Sequence, residues 1–566
     1  MNRRAWSAFA PLIVLLLGAC APNGTPNTSS GSPSTTAASN RTLNIIMRVE
    51  PPDMMAGAVD RSAIHKPLFT GILGGWDINA APYPVLAQAV PQLNTDSWKV
   101  FPDGRMETTY RLRPNLTWHD GQPLTADDMV FSRLVDAARV DYGLTQSSAE
   151  VRNMEDSFAP DPSTLVIRWK QPYAMAAAPE MIAHPRHLLA DALEKADHEF
   201  FGNLPFWTTE YVGAGPFRIV HWERGTNVEA AAFDNFALGK PKITRIRLTW
   251  GNDPNVNLAR LLAGDADAAL DGSLLFEQTS MLKQKWGTQG VGVIMLNPTS
   301  LRYIQVQSRS EYVSPTALLD ARVRKAILHS IDRGTLAETM VEDRTMVADT
   351  VPPPTEGYYP SIARQLTQYP YDIRRAEQLM GEVGYAKGLD GVYTSSTAGR
   401  FNVEVRGVSG GQEEQDTNIV AGGLREAGYD GSILLLPSSA RAVDDKTKGT
   451  FPGLTLNNNT LQPGLGLNKW LTANVGGPWD NWTGGNRMGW SNQQFDQLYE
   501  QWVSALEPAQ SVQLLGQMMR VLSEELPSLP LYYNFQIVAH VAELQGPEAI
   551  TPDNTRYGNI HQWQWR

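Results

Sequence analysis

Nine histidines are spread along the 566 residues, and none forms the His-Glu-x-x-His pair that holds a catalytic zinc on one helix face. His184 and His187 stand three apart, but Pro185 between them argues against both facing a metal from one helix, so structural roles are expected for both. There is no P-loop, and Gly407-Val408-Ser409-Gly410-Gly411 is not read as the elbow of a nucleophilic serine. Asp127-Asp128 and Asp444-Asp445 are the paired carboxylates; adjacent residues rarely converge, so a helix start and a solvated loop are expected there. The chemistry that remains is recognition. Trp470, Trp479, Trp482 and Trp490 crowd a Gly-, Asn- and Pro-rich stretch that begins at Phe451 and is too long and irregular for an ordinary connector. Their faces could stack on rings, apolar side chains or sugars; the competing role is to anchor the loop itself.

Composition narrows the class. Hydrophobic residues make up 42% and charged residues 19%, as in folded globular proteins. The length exceeds what one core supports, so two or three domains are expected. A net charge of -11 argues against a broad basic surface for nucleic acid. Cys20 is the only cysteine, which rules out an intramolecular disulfide and any Cys-rich metal site. It follows Arg3 and Arg4, a short apolar segment from Ala5 to Leu17, and Gly18-Ala19. That segment is short for a bilayer span and reads as a secretory signal. Leu17-Gly18-Ala19-Cys20 resembles a bacterial lipobox, which implies cleavage before Cys20, lipid on its thiol and tethering to a membrane by the acyl chains. Residues 21–41, rich in Ser, Thr, Pro and Asn, read as a flexible tether.

The body that must position any site mixes strands and helices. Strands are expected at Leu43–Val49, Thr164–Trp169, Phe217–Trp222, Ile243–Trp250, Phe401–Val408 and Ile433–Leu436. A hairpin is expected between Trp98 and Pro114, turned by Asp103-Gly104. A helix should start at Thr125 with Asp128 in the capping-box position. Others should stop at Gly264, Gly384 and Gly428, where glycine accepts the left-handed conformation. Ser491 or Asn492 should cap a helix that buries Phe495, Leu498, Tyr499, Trp502 and Leu506. This alternation predicts an α/β fold.

Several segments, in order, resemble the family 5 bacterial extracellular solute-binding proteins, which include oligopeptide-, dipeptide- and nickel-binding proteins of ABC importers. They are Pro84–Ala89, Tyr110–Asp128 with its Trp118-His119-Asp120-Gly121 turn, Val212–Phe217, Leu262–Asp267, Asp320–Ile327 with Ile331-Asp332-Arg333, Tyr371–Tyr385, Trp490–Asp496 and Leu526–Tyr532. The series spans nearly the whole chain after the tether. The resemblance implies a two-lobed binding-protein fold of the class II type with a third domain and two crossover strands. Lobe I would comprise 42–66, 205–300 and 530–566, the extra domain 67–204, and lobe II 301–529. Ligand would shift such a protein toward a closed form that a permease recognises. No nucleophile, metal or cofactor is needed, and a monomer is expected.

The resemblance also implies site residues. Asp53, in the first strand-to-helix loop, and Asp271 with Gly272 match ligand-facing positions of lobe I; Tyr532 and Tyr533 match aromatic positions near a crossover. Turn capping and core packing are the respective alternatives. Oligopeptide binders of the family place an aspartate a few residues before a proline, where it pairs with the peptide's ammonium. By spacing to Pro463, Asn459 of the run Asn457-Asn458-Asn459 takes that place. An amide brings no compensating charge, which disfavours free-amine peptides and favours a neutral polar ligand such as an oligosaccharide or a modified peptide. A register off by one or two, or another acid such as Asp480, is the alternative. The expected function is a membrane-tethered solute receptor for oligopeptides or similar polar solutes, on the outer face of the cytoplasmic membrane or in the periplasm, and not an enzyme. Two readings stand against it: a secreted hydrolase, and a surface interaction protein that kept the fold without transport.

Overall fold

Leu43-Asn44-Ile45-Ile46-Met47 is apolar at nearly every position, the mark of a strand covered on both faces. The computed structural model describes residues 41–54, 66–77, 81–142, 144, 149–179, 181–270, 272–287, 290–437, 443–460, 466–548 and 558–566, and there this segment lies inside a ten-stranded sheet. The strands are β1 (Leu43–Met47), β2 (Phe217–Glu223), β3 (Asn227–Ala232), β4 (Arg245–Trp250), β5 (Ala268–Ala269), β6 (Gly292–Val306), β7 (Asn402–Val408), β8 (Asp430–Leu436), β9 (Leu454–Thr460) and β10 (Ser528–Val541). Their order is β8-β7-β9-β6-β10-β5-β1-β4-β3-β2. The helices include α1 (Ala126–Asp141), α2 (Pro254–Ala263), α3 (Phe276–Gly287), α4 (Arg333–Val341), α5 (Gly411–Ala427) and α6 (Gln493–Val503).

Two strands do the joining. β6 and β10 pair antiparallel from Gly292↔Val541 to Gln305↔Ser528, with breaks in register between Asn297 and Ser300 and between Arg302 and Tyr303. Near its start, this ribbon adjoins β5 through Ala268↔His540; near its end, it adjoins β9 through Leu301↔Asn459 and Val306↔Leu454. One half of the sheet, β1 to β5, is thereby tied to the other, β7 to β9, by two strands alone. Each half has its own core. Ile45 and Met47 face Phe217, Trp222 and Leu248, while Ile46 on the opposite face meets Leu258 and Leu261 of α2 and Leu282 and Trp286 of α3. In the second half, Ile304 and Val306 pack with Val403, Val405, Leu336, Met340 and Leu424.

A separate four-stranded sheet forms from Trp98–Val100, Met106–Arg111, Thr164–Trp169 and Met154–Asp161. Its hairpin turns at Gly104 with φ +85°, as the Asp-Gly signal predicted. Thr125 caps α1, its backbone N–H donating to Asp128 Oδ2 at 2.9 Å, which completes the capping box with Asp in place of Glu. Trp98, Tyr110, Trp118 and Trp169 of this region share a cluster with Tyr303, Trp470 and Phe495, whereas Phe131, Val135 and Leu189 pack against the β1–β5 half. It therefore touches both halves, and the described residues fall in one compact unit. Among the described residues, no helix is long and apolar enough to cross a membrane.

His119 fastens the point where the four-stranded region meets the large sheet. The Gly213 N–H donates to its Nδ1 at 3.2 Å, so Nδ1 carries no proton, and Nε2 then donates to the Gly215 carbonyl at 3.0 Å. Both glycines pass so close to Phe69 that a Cβ would fall 2.0 Å from its carbonyl oxygen at Gly213 and 2.5 Å from its carbonyl carbon at Gly215. Only the neutral imidazole fits this pair of bonds, and burial pushes its pKa down to about 4. A histidine depressed in the fold stabilises fully above its unfolded value near 6.5 and loses that contribution as pH falls toward 4. The stability difference between the protein and His119→Gln should shrink by about 3 kcal/mol between pH 7.5 and pH 4 in urea unfolding. A difference that does not change with pH would contradict the neutral tautomer.

Candidate functional site

Alternation along β6 sends Leu301 and Tyr303 to one face and Arg302 to the other, where α5 lies. Arg302 is 5% exposed. Its Nε donates to Asp416 Oδ2 at 2.8 Å, its Nη2 lies 2.6 Å from the same oxygen, and Glu413 stands 3.9 Å from Nη1. The Tyr532 hydroxyl of β10 donates to Asp416 Oδ1 at 2.8 Å and accepts from Gln412 Nε2 at 3.0 Å. Asn534 Nδ2 donates to Gln412 Oε1 at 2.8 Å. Burial pushes the Asp416 carboxyl up while Arg302 pulls it back; burial also raises the Tyr532 hydroxyl, which stays protonated and donates. This chain of bonds fixes the first turns of α5 to both joining strands where they leave the β1–β5 half.

Most of the residues singled out in the sequence are placed by structural contacts. Tyr532 and Tyr533 are fully buried; the Tyr533 hydroxyl lies 2.9 Å from the Thr350 carbonyl oxygen and 2.6 Å from that of Pro352. Asp53 helps hold Arg139 of α1 charged against burial, beside Trp207, whose ring centroid is 4.8 Å from the guanidinium carbon. Asp271 lies outside the described residues, as does Pro463, from which the Asn459 register was counted. Cys20 lies outside them too. Asn457, Asn458 and Asn459 stand on β9 opposite Tyr303, Arg302 and Leu301. Asn457 Oδ1 accepts the Asn458 N–H at 2.8 Å, and buried Asn459 accepts from Lys469 Nζ at 2.8 Å.

The four tryptophans do not form one wall. Trp470 is buried against Tyr303, ring centroids 5.8 Å apart, and donates to Ser528 Oγ at 3.1 Å. Trp490 packs on Phe495. Trp482 lies against Tyr312 and Arg309 beside Gly449, which precedes β9, whereas Asn459 is near the strand's other end. The five residue steps from Leu454 to Asn459 put about 16 Å between the two ends. Trp479 alone is open to solvent, at 76% exposure. Arg309, which sequence reasoning missed, holds this loop. Its guanidinium donates to the carbonyls of Gly449, Arg487 and Gly476 at 2.6, 2.7 and 2.9 Å. Asp480 is used in the same loop, accepting the N–H groups of Gly477 and Trp482.

Gly407-Val408-Ser409-Gly410-Gly411 does spell the Gly-x-Ser-x-Gly pattern, and it joins strand β7 to helix α5, which corrects the view that no such elbow is present. Its geometry differs from an elbow's: the positive φ angles fall on Gly410 and Gly411, not on Ser409, and among the described residues no histidine bonds to Ser409. His184 and His187 pair with Asp136 at 3.4 Å and Asp120 at 2.7 Å. Asp128 and Asp444 cap helices. Among the described residues, no group of three or more His, Cys, Asp or Glu side chains could hold a metal ion.

Residues 88–473 match the family model described as bacterial extracellular solute-binding proteins, family 5, middle. The chain belongs to that family. The glutathione-binding protein GsiB of Escherichia coli K12 is 25% identical over 458 residues, 80% of this chain and 82% of that protein. An oligopeptide-binding protein from Thermus thermophilus, solved with a pentapeptide, superposes with a TM-score of 0.76 at 23% identity, covering 93% of this chain and 96% of the other. NikZ from Campylobacter jejuni, solved with Ni(L-His), gives 0.75 at 20% identity over 92% and 99%. The α/β architecture around one large sheet is that of family 5 binding proteins, and the family's members are substrate-binding proteins, not enzymes.

Lys469 changes what substitution at position 459 should do. Asn459→Asp alone sets a carboxylate beside that ammonium, 2.8 Å from it in the present geometry, and its charge is largely spent there. Affinity for a free-amine tripeptide, measured by calorimetry, should rise less than about threefold in Asn459→Asp and about tenfold or more in Asn459→Asp with Lys469→Met. No gain in the double variant would remove Asn459 from the ammonium subsite.

Proposed function

We propose that the protein is a lipid-anchored, monomeric receptor that captures oligopeptides or similar-sized polar solutes outside the cytoplasmic membrane and delivers them to the permease of an ABC importer. In this reading lobe I is 42–66, 205–300 and 530–566, lobe II is 301–529, and 67–204 is the extra domain riding on both. The observation that carries it is that, within the large sheet, two separately cored half-sheets are joined only by β6 and β10. Such a ribbon lets the halves rotate while each keeps its core, and ligand bound between them would favour the closed arrangement. The name of GsiB and the ligands solved with the structural relatives support short peptides and small chelates as the class. Lipid on Cys20 would hold the body at the membrane surface through residues 21–41.

One observation favours a second reading, a non-peptide polar solute such as an oligosaccharide. Asn459 presents an amide that is already bonded to Lys469, in place of the carboxylate expected for a peptide ammonium.

A panel of reduced glutathione, tri- to pentapeptides, nickel with histidine, and oligosaccharides should raise the thermal midpoint with one class only; ligand at about 100 times its Kd adds about 2.7 kcal/mol of stability. Peptides giving the shift supports the first reading and sugars the second. No shift with any of them, or turnover of a panel member abolished by one substitution, would overturn both. Cys20→Ser should move the protein from the membrane to the soluble fraction of cells, and unchanged membrane association would refute the lipid anchor.

A further inference from the structure

The two halves of the sheet also meet beside their joining strands at one edge, through α3 and the residue before it. Ser280 Oγ of α3 donates to Glu342 Oε1, just past the end of α4, at 3.2 Å. Leu275 reaches the first residue of α5: its Cδ1 lies 3.9 Å from where a Cβ on Gly411 would stand. Phe276 crosses by packing against the core of the β7–β9 half, and its ring also stacks on Phe535 of the joining strand β10, centroids 5.8 Å apart at 28°. Phe535 follows Asn534, the last member of the bonded chain that orients α5, and its N–H donates to Asn534 Oδ1 at 2.9 Å. Apolar and polar contacts from one short segment therefore cross between the halves, and none of them involves a residue assigned to the ligand.

We propose that Leu275, Phe276 and Ser280 form an inter-lobe latch, a set of positioning residues that favour the closed arrangement and so set apparent affinity without touching the guest. This rests on the reading of the protein as a receptor that works by closure. A receptor whose competent form is populated only in part binds with an apparent Kd equal to the intrinsic value divided by that fraction. Any contact present only when the halves are together raises the fraction. Phe276 supplies most of the apolar contact, and the exposed Ser280–Glu342 bond supplies little.

The test uses the mature chain with Cys20→Ser and spin labels at Val256→Cys and Leu389→Cys, exposed positions on the two halves. Distance distributions are measured without ligand. Phe276→Ala should lower the closed-to-open ratio about tenfold and Glu342→Ala about twofold, while Glu277→Ala, exposed on the same helix, should leave it unchanged. If glutathione or a tripeptide binds, its apparent Kd should weaken by up to the same factor. Should Phe276→Ala lose its fold by circular dichroism, Phe276→Leu and Ser280→Ala with Glu342→Ala carry the test. Distributions that do not move in these variants overturn the latch. Distributions that move while no panel solute binds keep the latch and overturn the ligand class instead, so the two failures are distinguishable.

Discussion

The ladder between β6 and β10 is the constraint on which everything else depends. It runs through both halves of the large sheet, and the N–H and C=O groups that its two strands turn toward each other are satisfied only while they stay paired. The halves on either side can therefore change their relation only by twisting or bending this ribbon. The ribbon is irregular where that would happen, with register breaks between Asn297 and Ser300 and between Arg302 and Tyr303. Below the breaks its side chains belong to one core and above them to another. Twisting the ribbon is thus compatible with an intact core within each half-sheet, while the four-stranded region, packed into both, must shift against one of them.

The buried pair Arg302–Asp416 should be understood in the same terms. Taking two charges out of water is costly, and well-packed apolar residues are often as stabilising in such a place. What an apolar pair would lack is direction. Arg302 fixes Asp416, Asp416 accepts from Tyr532, Tyr532 accepts from Gln412, and Gln412 receives Asn534, so α5 cannot rotate without breaking several bonds together. Both strands of the ribbon contribute, and α5 follows whichever way the ribbon turns. Arg309 does the comparable task for the tryptophan loop, binding carbonyls that a neutral side chain could not gather.

Local signals were legible where one residue type settles one backbone requirement. The Asp-Gly hairpin, the Thr125 box and the glycine stops at 264 and 428 all formed, because each depends on neighbours a few residues away. Strand expectations at Thr164–Trp169 and Phe217–Trp222 held for the same reason. α5 begins at Gly411, and its first turns, Gly-Gln-Glu-Glu-Gln-Asp, look solvated in sequence. That same polarity hid Asp416 and Gln412, whose value comes from partners more than a hundred residues away. The site expectations fared unevenly. Family position led to Tyr532 and Tyr533, but their hydroxyls are committed to the protein; the tryptophan cluster is dense in sequence but divided in space, with Trp470 and Trp490 in one core, Trp482 against Tyr312 and Arg309, and Trp479 in solvent.

That dispersal bears on how specificity is built here. A receptor of this architecture can keep its ribbon, its two cores and its closing contacts while the guest changes, since none of these depends on the guest's chemistry. In the proposed reading, discrimination comes from a few polar groups at strand ends beside the ribbon, where a misplaced charge costs more than a lost apolar contact. Position 459 is at such an end, and its amide is paired with the protein's own ammonium. Fold and family therefore constrain the mechanism of capture far more tightly than the identity of what is captured. If position 459 lines the site as proposed, the charge balance around Asn459 and Lys469 separates a peptide from a neutral solute.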